Sequence, residues 1–253
     1  MRRRLLLVAP FLIAAAPRTP LAANPISRMD TAWWARRHEA KLKELRAGPP
    51  DLLWIGDSIT HDWEKTGPPA WQDFRPVWER FYGGRRAVNL GFKGDATSHL
   101  LWRLRNGQLD GISPKAAILL IGANNLGRLR WGAEDTLAGI EACAAEIRRR
   151  TPRTKVLVLS VLPSDRGDWT AQATLAINRG LAQRFGAGLS FDIIFMDLTH
   201  LFARNGAIDR TQFYDPLLSP PEPALHPTAQ AHARLAALIE PSLAGLLGDR
   251  PRT

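Results

Sequence analysis

The stretch Leu52-Leu53-Trp54-Ile55-Gly56-Asp57-Ser58-Ile59-Thr60-His61 decides the fold. Its apolar run is too short for a helix face and stops at a Gly-Asp pair, so it reads as a strand buried on both sides. Asp57-Ser58 then supplies ordinary helix-start residues. The same grammar recurs at Ala87 to Leu90, Ala116 to Ile121, Lys155 to Leu162 and Asp192 to Leu198. Helical patterns fill the intervals at 30–46, 97–106, 133–150 and 170–185, and a last one follows Pro227, a residue suited to a first helical turn. Strand alternating with helix predicts an α/β single domain, a three-layer α/β/α sandwich with a mainly parallel five-stranded sheet.

In open sheets of this kind ligands sit beyond the carboxyl ends of the strands. Three consecutive strand ends carry glycine with polar residues: Gly56-Asp57-Ser58, Gly91-Phe92-Lys93-Gly94-Asp95 and Gly122-Ala123-Asn124-Asn125. Taken singly, Ser58 is a helix cap, Gly94 a left-handed turn and Asn124 a loop cap. Taken together, the Ser58 N–H, the Gly94 N–H and the Asn124 amide make three donors for a developing oxyanion. His226, in Ala224-Leu225-His226-Pro227-Thr228, precedes the last helix and is the natural general base; the other five histidines lack such company. Asp57, Asn125 and Trp131, on the same loops, are expected to contact substrate. Trp169 is a further candidate for the rim, whereas Trp71, Phe74 and Trp78 stand at helical spacing and suit core packing.

Composition bounds the rest. The 253 residues hold 45% hydrophobic and 23% charged side chains, the balance of a globular domain rather than a disordered polyelectrolyte. A single cysteine, Cys143, excludes an internal disulfide framework. Arg2-Arg3-Arg4, the 12-residue apolar run Leu5 to Ala16 and the small residues Leu21-Ala22-Ala23 have the layout of a secretory signal, with cleavage expected after Ala23. That run is short of the roughly 20 residues a bilayer crossing needs, so no membrane insertion is expected once it is removed. Residues 24–50 then read as an N-terminal helix and linker, and 51–247 as the domain. Losing Arg2, Arg3, Arg4 and Arg18 and no acid lowers the formal charge from +10 to +6. The remaining basic clusters lack interleaved aromatics, so nucleic acid is not an expected partner. Phosphate-loop, dinucleotide and zinc-helix motifs are absent from the sequence, and no cofactor or metal is implied.

With these residues in view, the chain resembles the SGNH (GDSL-type) hydrolase family. Gly56-Asp57-Ser58-Ile59 is similar to its nucleophile block, Asn89 to Thr97 to its glycine block, Gly122-Ala123-Asn124-Asn125 to its asparagine block and Leu225-His226-Pro227 to its histidine block. The stretch Gly94 to Leu109 is similar to the catalytic subunits of platelet-activating-factor acetylhydrolases, with which a homodimer is compatible. The resemblance implies a flavodoxin-like sheet and a serine esterase acting on short acyl, foremost acetyl, esters; the signal-like start adds a periplasmic or secreted setting and, from that location, a carbohydrate or small-molecule ester as substrate. Transfer of the acyl group to a sugar hydroxyl is the alternative. The family usually places Asp where this chain has Pro223. Glu222 is the first candidate to replace that acid; Asp215 and a backbone carbonyl rank behind it. Loss of the acid altogether would leave a binding protein on a degraded hydrolase fold.

Overall fold

Five short strands form one sheet in the computed structural model, which describes residues 19–186 and 192–252. In chain order the elements are α1 (Ala32–Ala47), β1 (Leu52–Gly56), α2 (Ser58–His61), α3 (Arg75–Phe81), β2 (Ala87–Gly91), α4 (Thr97–Arg103), β3 (Ala116–Leu120), α5 (Ala123–Gly127), α6 (Ala133–Arg150), β4 (Lys155–Leu159), α7 (Asp168–Phe185), β5 (Ile193–Met196), α8 (Thr199–Phe202), a hairpin of β6 (Ala203–Arg204) and β7 (Ala207–Ile208), and α9 (Ala229–Leu247). The sheet runs β2-β1-β3-β4-β5 with every pair parallel. That is the flavodoxin-like order, whose switch point lies between β1 and β3.

Both faces of the sheet are covered, which is why its strands are largely apolar rather than alternating. Leu52, Trp54, Ile118 and Leu157 face a core completed by Phe81 of α3 and Leu235, Ile239 and Leu243 of α9. Leu53, Ile55, Leu119 and Val158 face the opposite core, completed by Leu100, Ile140, Ile147 and Ile177 from α4, α6 and α7. Of the three aromatics at helical spacing, Phe74 is buried in the first core while Trp71, in a separate 3-10 turn, and Trp78 are half-buried; Phe74 and the buried Trp63 stand edge-on to the ring of His232.

Strand starts fall where the apolar runs begin, but the fourth strand leaves the ladder at Leu159 rather than Leu162. The reason is a side chain: Asn178 of α7 accepts from the Val161 N–H and donates to the Val161 carbonyl, both at 2.9 Å, in place of a neighbouring strand. The expected leader lies mostly outside the described residues. Within its last part, Leu21–Ala23 form one 3-10 turn, and the buried Ala22 accepts at its carbonyl from Thr97 Oγ1 at 2.7 Å. No helix among the described residues is long and apolar enough to cross a membrane.

One buried cation ties the carboxyl ends of the strands together. Arg103, at the end of α4 and fully buried, donates to the carbonyls of Gly56 (3.2 Å) and Leu90 (3.1 Å), to Gln108 Oε1 (2.6 Å) and to Asp95 Oδ2 (2.8 Å). Removing one partner of such a pair strands the other charge in the core. Arg103→Met is therefore expected to cost about 3–5 kcal/mol of stability, read from urea unfolding. A loss below about 1 kcal/mol would contradict this assignment of Arg103 as the tie between β1, β2 and the Gly94 turn.

Candidate active site

The serine is presented by the shortest possible strand-to-helix turn. Asp57 caps α2, its Oδ1 accepting from the Ile59 N–H at 3.0 Å. Gly56 permits the turn because a Cβ there would lie 2.3 Å from the Leu120 carbonyl oxygen and 2.2 Å from Thr60 Oγ1. Ser58 thus opens α2, and the residue is 8% exposed. Gly94 follows β2 in the left-handed region at φ +74°, a conformation that side chains other than glycine resist. Asn124, in the first turn of α5, donates to the Asp95 carbonyl at 3.0 Å and approaches Asp57 Oδ2 at 3.4 Å. Its amide therefore stands between the neighbour of Ser58 and the neighbour of Gly94. Neither the Ser58 N–H nor the Gly94 N–H is taken by an acceptor among the described residues. The three expected oxyanion donors come from three adjacent strand ends.

His226 Nε2 lies 2.9 Å from Ser58 Oγ, and its Nδ1 lies 2.6 Å from Asp215 Oδ1. Here the expectation for Glu222 is corrected: Asp215 holds the imidazole. Residues 213–214 pair in antiparallel fashion with 226–227, through the Phe213–Pro227 bridge and the Tyr214 N–H to His226 carbonyl bond at 2.9 Å. That pairing sets residue 215 beside residue 226 although eleven positions separate them. Asp215 Oδ2 also accepts from the N–H groups of Leu225 (2.8 Å) and His226 (2.5 Å). Glu222 instead donates its backbone N–H to the Asp215 carbonyl at 3.0 Å, and its side chain is exposed between two prolines whose fixed φ limits any inward bend.

The long segment between β1 and β2 braces the histidine loop. Tyr214 stacks on His226 with ring centroids 5.5 Å apart, and Trp71 stacks on Tyr214. The Tyr214 hydroxyl donates to Asp62 Oδ2 and accepts from Lys65 Nζ, each at 2.7 Å.

The expected substrate contacts fare differently. Asn125 is fully buried and spends its amide on Thr97, accepting from the Thr97 N–H at 3.0 Å and donating to Thr97 Oγ1 at 2.7 Å. It locks α5 to α4 and does not face a ligand. Asp57 is likewise buried, and its carboxylate serves Ile59 and Asn124 rather than open space. Trp131 is half-buried, joined to Asn125 through its backbone N–H at 2.9 Å, and takes no part in the bonds that gather Ser58, Asn124 and His226. Trp169 is 41% exposed beneath the Arg130 guanidinium. Asp95 had no role in the sequence reading. Its buried carboxylate accepts from Arg28 (2.9 Å), Trp34 Nε1 (2.8 Å) and Arg103 (2.8 Å), so α1 and α4 both fix the Gly94 turn. Arg166, after β4, donates to the Ala123 carbonyl at 2.9 Å, and Asp57 and Asp215 both act on its charge.

Two carboxylates with different surroundings titrate in opposite directions. Burial pushes the Asp57 carboxyl up to about 7, against the pull of the Ile59 N–H and the His226 charge. Burial also works against the Asp215 carboxylate, but the hydrogen bond and charge of His226 and the two backbone N–H donors overcome it and hold its pKa below the usual value. Asp215 is therefore ionised beside the imidazole at neutral pH, the state needed to stabilise an imidazolium. His61 and His38 are lowered to about 3 and about 4, chiefly by burial, and are neutral.

Fold and site together define a hydrolase that gathers serine, histidine and aspartate at the switch point of a flavodoxin-like sheet. The model of the GDSL-like lipase/acylhydrolase family matches residues 54–234, and the chain belongs to that family. It is 28% identical over 233 residues to platelet-activating factor acetylhydrolase IB subunit alpha2 of Gallus gallus, covering 92% of each chain. Among solved structures, its fold is similar to that of a GDSL-like lipase from Bacteroides thetaiotaomicron (TM-score 0.62, 17% identity, 82% of this chain and 97% of the other). It is also similar to that of a carbohydrate esterase family 3 protein from Talaromyces cellulolyticus (TM-score 0.57, 16% identity, 79% and 98%).

Asp215→Asn is expected to lower turnover of an activated ester by about 10⁴ and Glu222→Gln to leave it within about twofold, both read as kcat. A large loss in Glu222→Gln with Asp215→Asn active would reverse the assignment. Asp57 gives a pH test. Below about pH 4 folded and unfolded chains both carry its proton; from there to about 7 only the folded chain does, so its contribution to stability falls as pH rises and then levels off. Asp57→Asn keeps a capping acceptor and removes this titration. The difference in urea midpoint should therefore move in the variant's favour between about pH 4.5 and about 7.5, and a constant difference would refute the raised pKa.

Proposed function

We propose that this chain is an exported serine esterase that removes short acyl groups, acetyl foremost, from a carbohydrate or small-molecule ester. The observation that carries the proposal is the unbroken relay from Ser58 Oγ through His226 to Asp215, with bonds of 2.9 and 2.6 Å. Pro223 at the family's usual acid position was the ground for a non-catalytic reading, and Asp215 removes that ground.

The chemistry follows from the geometry. His226 Nε2 takes the Ser58 hydroxyl proton as Oγ attacks the ester carbonyl carbon, and the imidazolium that forms is stabilised by ionised Asp215. The tetrahedral oxyanion takes the Ser58 N–H and the Gly94 N–H, which are already in place, and one Asn124 amide hydrogen, which exchanges its long 3.4 Å contact with Asp57 Oδ2 for the oxyanion while the bond to the Asp95 carbonyl holds the amide. His226 returns the proton to the leaving alcohol oxygen, the C–O bond breaks, and the acyl group remains on Ser58. Water, deprotonated by the same imidazole, then releases the carboxylic acid and restores the serine.

The acyl class rests on the relatives. The acetylhydrolase subunits carry acetyl removal in their name, and a carbohydrate esterase shares the fold. Export rests on the basic start and apolar run of residues 2–16. It predicts a chain recovered outside the cytoplasm whose first residue, by N-terminal sequencing, is Asn24; a full-length cytoplasmic chain would contradict it.

The enzymatic reading is tested on p-nitrophenyl esters of increasing acyl length. Acetate should be the best substrate, Ser58→Ala should abolish turnover, and Asn124→Ala should lower it by about 10²–10³. Turnover that survives Ser58→Ala, or a preference for long acyl chains, would overturn the proposal.

A further inference from the structure

The oxyanion turn forms one wall of a second feature. A cavity of about 390 Å³ opens beside it, lined by Arg28, Trp33, His61, Lys93, Gly94 and Arg128. Three of the six are permanent cations and none is an acid. A larger cavity of about 570 Å³, between α7 and the β6–β7 hairpin, includes none of Ser58, Gly94, Asn124 or His226. The smaller one shares Gly94, one of the oxyanion donors, with the site.

The three cations are not equally engaged. Arg28 is paired with buried Asp95 and also donates to the Lys93 carbonyl at 3.1 Å. Lys93 lies 3.8 Å from Asp62 Oδ1, the oxygen of that carboxylate that Tyr214 leaves free, and its side chain is half exposed, so it is only loosely paired. Arg128, which closes α5, has no acid partner and no side-chain hydrogen bond among the described residues. Its guanidinium lies against Gly94: a Cβ added there would be 2.2 Å from Arg128 Nη1. An unpaired guanidinium thus stands beside a backbone N–H that is free to bind a carbonyl oxygen. Trp33, 37% exposed with Arg28 over its ring, adds a flat apolar wall.

We infer that this cavity binds an oxyanion, carboxylate or phosphate, carried on the alcohol part of the ester. The inference rests on the esterase reading with acetyl as the acyl group: acetyl carries no ionisable group, so an anion beside Gly94 belongs to the leaving group. A planar guanidinium matches two oxygens of either anion, Lys93 adds a point charge, and the aromatic wall accommodates the ring that bears the anion. The substrate class is accordingly an acylated alcohol with an acidic group close to the ester, such as a uronate or a sugar phosphate.

The test compares kcat/KM for methyl 4-acetoxybenzoate, 4-acetoxybenzoate and 4-acetoxyphenyl phosphate in the wild-type chain, Arg128→Gln and Lys93→Gln. Dividing each anionic ester's value by the neutral one, and comparing that ratio between proteins, cancels the intrinsic reactivity of the leaving groups. In Arg128→Gln the ratio is expected to fall about tenfold, with the neutral ester within about twofold, and in Lys93→Gln to fall by less. The anion that loses more identifies carboxylate or phosphate as the source. An unchanged ratio, or an equal loss on the neutral ester, would overturn the inference. Failure of the wild-type chain on all three esters would instead count against the esterase reading. Equilibrium binding of 4-hydroxybenzoate against its methyl ester then decides the site: a preference for the anion that Arg128→Gln abolishes supports it, and no preference overturns it.

Discussion

The carboxylate of Asp95 is the constraint on which the site depends. It is fully buried, and such a charge is tolerated only when it is paired and hydrogen-bonded. Arg28 and Trp34 take one oxygen and Arg103 the other, so the N-terminal segment, α4 and the ends of β1 and β2 converge on one group. The carbonyl of the same residue accepts from Asn124. One residue thus fixes the turn that presents the Gly94 N–H and orients the amide that completes the donor set. Preorganised donors of this kind do not have to be turned toward the charge as it develops, which is where their catalytic value lies.

The second half of the site is built by a different device. His226 stands in a loop, and its position is set by pairing with residues 213–214, by stacking on Tyr214 and by the bond to Asp215. Tyr214 in turn is held by Asp62 and Lys65. The segment between the first two strands therefore works as a brace behind the base. Nucleophile and donors stand on strand ends, while base and acid stand on a loop held by aromatic stacking and one short antiparallel pairing.

Much of this was legible in the residues. The five strands, the sheet type and the identities of Ser58, Gly94 and Asn124 follow from apolar runs that end in glycine and polar residues, because a doubly covered parallel sheet forces that pattern, and His226 follows from its place before the last helix. Asp215 ranked behind Glu222 because distance along the chain stood in for distance in space. The antiparallel pairing that cancels those eleven residues involves two positions on each side and leaves no periodic signal. Asn125 and Asp57 looked like ligand contacts because they adjoin the motif, whereas burial turns both inward. Asp95 and Arg103 were unreadable for a further reason: a buried ion pair has the same letters as a solvated one.

The central claim is that Asp215 orients His226 to activate Ser58. Labelling with a fluorophosphonate, followed by mass spectrometry of the digested chain, tests it without knowledge of the substrate. A single adduct on Ser58 is predicted, formed far more slowly in Asp215→Asn and at the wild-type rate in Glu222→Gln. No adduct on Ser58, or a rate that depends on Glu222 and not on Asp215, would contradict the account.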